Sequence, residues 1–319
     1  MSNNFGLWRS AIDVAALEYR NSIFKTLRNF FSDRGVLEVD VPLLGKSTVT
    51  DPNIDTIVTC SELQPAFLQT SPEIFMKRLL ASGTGDIFTL TRAFRSAEEG
   101  VLHNPEFTLL EWYRIAWDEH RLMEEVAELI SSLMPSVATS KISYAQIFRD
   151  TLGLDPHDTA LENLQNMVNH NGLEEWSGDT RSNCLNVLFE RLVQPSLPDG
   201  LFFVYEYPAC QAALANLHMN KDGQTVSRRF EVFLNRIELA NGYFELTDLD
   251  EHRKRFEKDR EERINIGKPI MENDKYFLDA LESGLPSCSG VALGVDRLLM
   301  QLLGVTKIDH SMPFSWERC

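Results

Sequence analysis

The chain has 319 residues, with 31 Lys and Arg against 47 Asp and Glu, a net charge of −16 and 43% hydrophobic residues. That balance argues against broad binding to a phosphate backbone, which needs a basic face, and no apolar run is long enough for a membrane span or a signal peptide. Five cysteines at 60, 184, 210, 288 and 319, odd in number and without a CxxC pair, exclude a zinc or disulfide framework and suit a reducing cytoplasm.

Along the chain, the first clear signal is Thr70–Leu80, TSPEIFMKRLL. Ser71 is placed to cap a helix that opens on Pro72, and Glu73 suits its first turn. Capping accounts for Ser71 and Pro72, and for Glu73 only in part. Phe88–Tyr113, FTLTRAFRSAEEGVLHNPEFTLLEWY, reads as an antiparallel hairpin whose apolar runs flank a polar loop at Ser96–His103. Alternation puts Phe107, Leu109, Glu111 and Tyr113 on one face of its second strand. Thr91, Ala93 and Arg95 share one face of the first. So charged a face is poorly explained as core. Leu122–Gln194 is helix-rich, with apolar spacing at Leu122, Val126, Leu129 and Ile130 and again over Leu161–Val168. It reads as a helical insertion over residues 118–200 in a single domain spanning 1–319.

Arg229–Asp248, RFEVFLNRIELANGYFELTD, is the most informative stretch. Asn235-Arg236 reads as a two-residue turn between two strands, which sets Phe233 opposite Glu238. Glu231 then lies on the Phe233 side, diagonal to Glu238, and the two carboxylates suit Mg²⁺ carrying a nucleotide's phosphates. An Asn241-Gly242 bend leads on to Glu245, a third acid for a cationic substrate group. Arginine is a poorer turn residue than glycine, because it must adopt positive φ. Residues 250–263, DEHRKRFEKDREER, alternate in sign and read as a solvated helix. Cys288–Gly304, CSGVALGVDRLLMQLLG, is a small-residue strand entering an amphipathic helix with Val295, Leu298, Leu299 and Leu302 on its apolar side. Arg297 falls in that helix's first turn, where a cation calls for an anionic partner.

Taken together, these segments resemble the class II aminoacyl-tRNA synthetases of the lysyl type. Within them the chain is most similar to the elongation factor P β-lysyltransferase family, the short lysyl-synthetase paralogues. YRNSIFKTLRNFFSDRGVLEVDVPLL resembles the first class II motif, which ends in Pro42 and forms the dimer interface. TSPEIFMKRLL is similar to the substrate-clamp helix, FR…HNPEFTLLEWY to the second motif, RFEVF…IELANGYFELTD to the metal and substrate hairpin, and GVALGVDR to the third motif. Five matches in the family's order cover most of the chain.

The resemblance implies an α+β fold, an antiparallel sheet flanked by helices, and a homodimer. It implies that Arg95 holds the substrate carboxylate or α-phosphate, and that Phe107 stacks on adenine. His103 and Asn104 line the nucleotide; Arg297 covers the other adenine face and approaches the γ-phosphate. Glu231 and Glu238 hold Mg²⁺ on ATP. Glu111, Tyr113 and Glu245 receive a side-chain ammonium, Asn241 and Tyr243 complete that wall, and Ser71 and Glu73 meet the backbone amine. The implied reaction is activation of lysine or (R)-β-lysine by ATP and transfer to a lysine of elongation factor P. Only a short segment precedes the first-motif helix, which leaves no room for an anticodon-reading domain and disfavours tRNA as acceptor. A truncated lysyl-tRNA synthetase and a non-catalytic paralogue are the alternatives.

Two departures from the family pattern stand out. Phe94-Arg95-Ser96-Ala97 lacks the glutamate of FRxE, with Glu98 or Glu99 as nearby substitutes. Ala292 stands where lysyl synthetases carry glycine, and its methyl group is expected to favour a β-amino acid over α-lysine.

Overall fold

A computed structural model describes residues 6–59, 65–173 and 180–319; Cys60 lies outside them. In chain order the elements are α1 (Val14–Ser32), β1 (Leu37–Glu38), β2 (Leu44–Gly45), β3 (Val58–Thr59), β4 (Ala66–Leu68), α2 (Glu73–Ala81), β5 (Ile87–Phe94) and β6 (Glu106–Ile115). There follow α3 (Glu119–Leu133), β7 (Thr139–Ser143), α4 (Tyr144–Leu152), α5 (Leu161–His170), α6 (Arg181–Leu188), β8 (Leu201–Pro208), β9 (Leu217–Met219), β10 (Thr225–Leu234) and β11 (Ile237–Phe244). The chain closes with α7 (Leu249–Asn265), α8 (Lys275–Gly284), β12 (Cys288–Gly294) and α9 (Val295–Leu303). It divides into two compact units, Met1–Trp117 with Leu246–Cys319, and Asp118–Glu245.

In the first unit the strand order is β1-β5-β6-β12, and β2-β4-β3 form a small second sheet. The expected β5–β6 hairpin is present, with Ala93 opposite Phe107, Thr89 opposite Glu111 and Ile87 opposite Tyr113. β12 runs antiparallel on the other side of β6. β1 instead pairs parallel with β5, which its long connection through α2 permits. Helix α1 starts on an Asp13 cap and buries a stripe of Ile23, Leu27, Phe30 and Phe31. Phe31 stacks on Phe88 at 4.7 Å and meets Trp112 at 5.1 Å, which seats the helix on β5 and β6.

The expected Ser71 cap is not formed: Pro72 itself occupies the cap position of α2, and no side chain bonds the exposed N–H groups. Helix α7 also differs from a fully solvated helix, because His252, Phe256 and Arg263 are buried along one side. Arg263 donates to the carbonyls of Thr50, Asp51 and Ile54 at 2.6–2.9 Å and so fixes the loop before β3. Sequence alternation of charge hides such a stripe, since only one residue per turn is buried.

In the second unit β11-β10-β8-β7 lie in that order, with β9 also on β10. β10–β11 and β10–β8 are antiparallel; β7–β8 is parallel, its crossover supplied by α4, α5 and α6. The apolar residues Leu122, Val126, Leu129 and Ile130 are all buried on α3. Arg228 holds Glu119 through paired contacts of 2.9 and 2.6 Å, which ties α3 to β10. Tyr144, Phe148, Phe189, Tyr207 and Phe233 form an aromatic cluster under the sheet.

The Asn235-Arg236 turn is formed, with φ of 50° and 70°. Its strain is met by local bonds: Asn235 Oδ1 accepts from Gly200 N at 2.9 Å, and Arg236 Nε donates to Leu197 O at 2.8 Å. Phe233 faces Glu238, as the turn requires. One residue further the register shifts and Val232 faces Ala240, so that Glu231 stands opposite Asn241. Leu239 and Ala240 are both buried, which breaks the period-two alternation and produces the bulge. The expected Asn241-Gly242 bend is absent; both residues lie inside β11. Glycine is required there for another reason, because a Cβ at 242 would sit 2.4 Å from the Phe230 ring.

Cys184 and Cys288 are buried, Cys210 partly so and Cys319 exposed, all as free thiols. Among the described residues no helix is long and apolar enough to cross a membrane.

One acid in this frame makes stability depend on pH. Burial pushes Asp259 up to about 6, the neighbouring Asp51 and Glu262 add to the rise, and the Thr50 hydroxyl, 2.7 Å away, opposes it. A raised carboxylate pKa means that the folded state binds the proton more tightly, so its contribution is complete below the unfolded value of 3.8 and is lost as pH rises through 6. Asp259→Asn keeps the acceptor for Thr50 without the charge. It is expected to be more stable than the parent at pH 8 by roughly 1–3 kcal/mol, with the gap closing by about pH 4, read by urea unfolding at both pH values. Equal stabilities at pH 8 would contradict the assignment.

Candidate active site

In the first unit, the sheet face of β5 and β6 collects the expected residues. Phe107 is half-buried opposite Ala93, and the guanidinium of Arg95 stands 5.2 Å from the Phe107 ring centroid. Arg95 sits just past the end of β5, where its backbone N–H still donates to Pro105 O at 2.9 Å. Its side chain makes long contacts, 3.4 Å to Thr70 O and 3.4 Å to Glu98 Oε1. Ala97 adopts φ of 59°, and the turn it makes brings Glu98 back to Arg95. Glu98 is therefore the nearby acid that reaches the arginine in a chain lacking the FRxE glutamate.

Four residues beyond Phe107 on the same strand face, Glu111 is almost wholly buried and accepts from the Tyr113 hydroxyl at 2.8 Å. Ala292 of β12 lies directly opposite Glu111. Glu73 opens α2 and is paired with Lys77 Nζ at 2.6 Å; Ser71 lies two residues before it, ahead of the helix. Arg297, in the first turn of α9, reaches His103 Nε2 at 2.7 Å and Leu102 O at 3.3 Å. Asn104 is buried and its amide is used at both ends, donating to Glu106 O at 2.6 Å and accepting from Trp316 N at 2.8 Å. It pins the loop that carries His103.

A buried pair beneath this face was not anticipated from the sequence. Arg20 of α1 meets Asp296 of α9 at 2.6 Å, and both are nearly inaccessible. The other Asp296 oxygen accepts from Thr108 N of β6 at 2.6 Å, while Arg20 also donates to Thr108 Oγ1 and Ser311 O. The available signal was an arginine placed three residues before Ile23 on an otherwise apolar helix stripe.

The second unit holds the acids of the hairpin. Glu231 accepts from the Tyr207 hydroxyl at Oε2, at 2.7 Å, and from Arg229 at Oε1. Burial pushes its carboxyl above the ordinary range and the charge of Glu238 adds to that; Arg229 and Tyr207 oppose it. Glu231 and Glu238 are the two acids of strands β10 and β11. Two hard oxygen donors of this kind fit Mg²⁺, which keeps phosphate and water oxygens in the rest of its shell. Among the described residues no group of three or more metal-ligating side chains is assembled. Asn241 stands opposite Glu231 and accepts from Arg229 Nε at 3.3 Å; Tyr243 stands opposite Arg229. Glu245 is buried just beyond the strand and bridges to Ala215. Tyr207 and Arg229 were missed because their role depends on pairing across β8 and β10.

The family model described as tRNA synthetases class II (D, K and N) matches residues 3–318. The chain is 42% identical to the "Elongation factor P--(R)-beta-lysine ligase" of Proteus mirabilis (strain HI4320), over 96% of this chain and 97% of that protein. It is 40% identical to the protein of that name from Pasteurella multocida (strain Pm70), over 97% and 98%. With the one from Pectobacterium atrosepticum it shares 43% identity over 98% of each.

The second-unit geometry makes a stability test. Removing the guanidinium in Arg229→Met takes its paired counter-charge from the largely buried Glu231. Urea unfolding at pH 8 is expected to show a loss of about 3 kcal/mol, the scale of breaking one side of a buried pair. A change under about 0.5 kcal/mol, the range of an ordinary surface substitution, would contradict the pairing.

Proposed function

Because the chain belongs to the class II tRNA synthetase family of the D, K and N type, we propose that it uses ATP to activate (R)-β-lysine and transfers it to a lysine side chain of elongation factor P. The observation that carries this reading is near full-length identity of 40–43% to relatives named for that reaction. We place the activity in the cytoplasm, in a homodimer formed through the first-motif segment, with tRNA disfavoured as acceptor.

In the first step the amino acid carboxylate attacks the α-phosphorus of ATP in line. A P–O bond forms to the carboxylate and the bond to pyrophosphate breaks. No general base is required, since the nucleophile is already ionised, and positioning with charge neutralisation supplies the rate. Arg95 is suited to the carboxylate and α-phosphate, because a planar guanidinium offers two parallel donors where negative charge accumulates. Phe107 is assigned to one adenine face, Arg297 to the other and to the γ-phosphate, and His103 and Asn104 to the lining of the nucleotide, Asn104 also pinning the loop that carries His103. In the second unit Glu231 and Glu238 would hold Mg²⁺, which when bound neutralises phosphate charge and the leaving pyrophosphate. In the second step the acceptor lysine amine attacks the acyl carbon, AMP leaves, and the amine loses its proton.

Substrate choice follows from acids. Glu111 with Tyr113, and Glu245 with Asn241 and Tyr243, are assigned to the side-chain ammonium. Glu73, with Ser71 ahead of it, is assigned to the other amine. Ala292 lies beside Glu111, and its methyl group favours a substrate whose amine is displaced from the α-carbon.

The test is ATP–pyrophosphate exchange with each lysine isomer. Exchange is expected to be faster with (R)-β-lysine than with α-lysine. Glu238→Gln is expected to lower it by about 100-fold or more, the scale of losing charge stabilisation at the phosphates, with an unchanged melting temperature. Unaltered exchange in that variant would reject the metal role, and no exchange with any isomer would reject adenylation.

A further inference from the structure

Lys77 lies on α2 with a fully buried side chain, and its ammonium meets Glu73 Oε1 at 2.6 Å. A buried ammonium is costly unless an anion meets it, and a lysine retained only for stability is often bettered by an apolar residue of similar size. Glu73 is the opposite case: its side chain keeps 18% of its surface accessible. The pair therefore spans from the interior to the edge of the first unit, with the cation inside and the acid outside. His252 of α7 is also fully buried, with Nε2 2.8 Å from Leu246 O. Burial first, and the charge of Lys77 next, lower its pKa to about 4, so it stands neutral beside the pair at physiological pH.

We propose that Lys77 is a positioning residue for amino acid recognition: its buried ammonium fixes the rotamer of Glu73, which turns Oε2 toward the substrate amine. This rests on the assignment of Glu73 to that amine. Lys77 never touches the substrate. It acts by removing the freedom of an acid at a helix start, where a glutamate side chain otherwise samples several rotamers. One carboxylate oxygen is spent on the interior cation, which leaves the other for the substrate amine. The arrangement matches the way buried outer groups orient ligating carboxylates in metal sites.

The experiment is steady-state adenylation by Lys77→Met, Lys77→Gln and Glu73→Gln, with melting temperatures measured alongside. Lys77→Met is expected to raise the amino acid KM at least tenfold and leave the ATP KM within twofold. Lys77→Gln retains one donor for Glu73 and is expected to recover part of that loss. An unchanged amino acid KM, or an equal rise in both KM values, would overturn the proposal, the second because a structural role moves both. Glu73→Gln separates the two layers. If it leaves the amino acid KM unchanged, the assignment of Glu73 has failed. If it raises the KM and Lys77→Met does not, only the positioning role has failed. Should the Lys77 variants not fold, the unmodified enzyme decides: the slowly exchanging buried lysine ¹⁵N–¹H ammonium signal should shift on adding (R)-β-lysine and stay in place with ATP alone. No shift at saturating amino acid would overturn the proposal.

Discussion

Arg20 and Asp296 form the contact on which the first unit depends. One carboxylate joins the entry helix α1, the strand β6 and the start of α9, and each of its oxygens is satisfied at 2.6 Å. A pair taken so far out of water contributes little net stability, but losing one member costs about 3–5 kcal/mol because the other charge is left buried. Its value is geometric. Asp296 holds the first turn of α9, and the next residue, Arg297, is thereby placed against Leu102 and His103. Thr108, the acceptor of the Arg20 contact, follows Phe107 directly on β6. Each buried anchor thus neighbours a residue assigned to the nucleotide.

The second unit follows the same rule with different parts. Glu231 is held by Tyr207 from β8 and Arg229 from its own strand, and the hairpin turn fixes where Glu238 falls. The bulge between Val232 and Phe233 and the Phe230 ring lying over Gly242 then decide which residues of β11 stand opposite β10. A residue proposed for binding is set by packing one strand away.

What was legible in the sequence was local. Alternation along β6 placed Phe107, Glu111 and Tyr113 on one face, and a two-residue turn at Asn235-Arg236 set Phe233 against Glu238; neither needs knowledge of distant contacts. The failures share a cause as well. Gly242 looks like a bend in isolation, yet its missing side chain answers to Phe230 on the neighbouring strand. Ser71 has the right chemistry for a cap, but Pro72 occupies that position. Arg20, Lys77 and His252 are charged or titratable residues on helices that read as amphipathic or solvated, and only tertiary packing shows them buried. Family likeness supplied the assignments of Arg95, Arg297 and the acids, which residue spacing alone left open.

The measurement that tests the account most directly is the intact mass of elongation factor P after incubation with this protein, ATP, Mg²⁺ and either lysine isomer. The account predicts an increase of one lysyl group, formed faster with (R)-β-lysine than with α-lysine. Pyrophosphate release without any mass gain on elongation factor P would contradict it, and would leave the adenylate chemistry with a different acceptor.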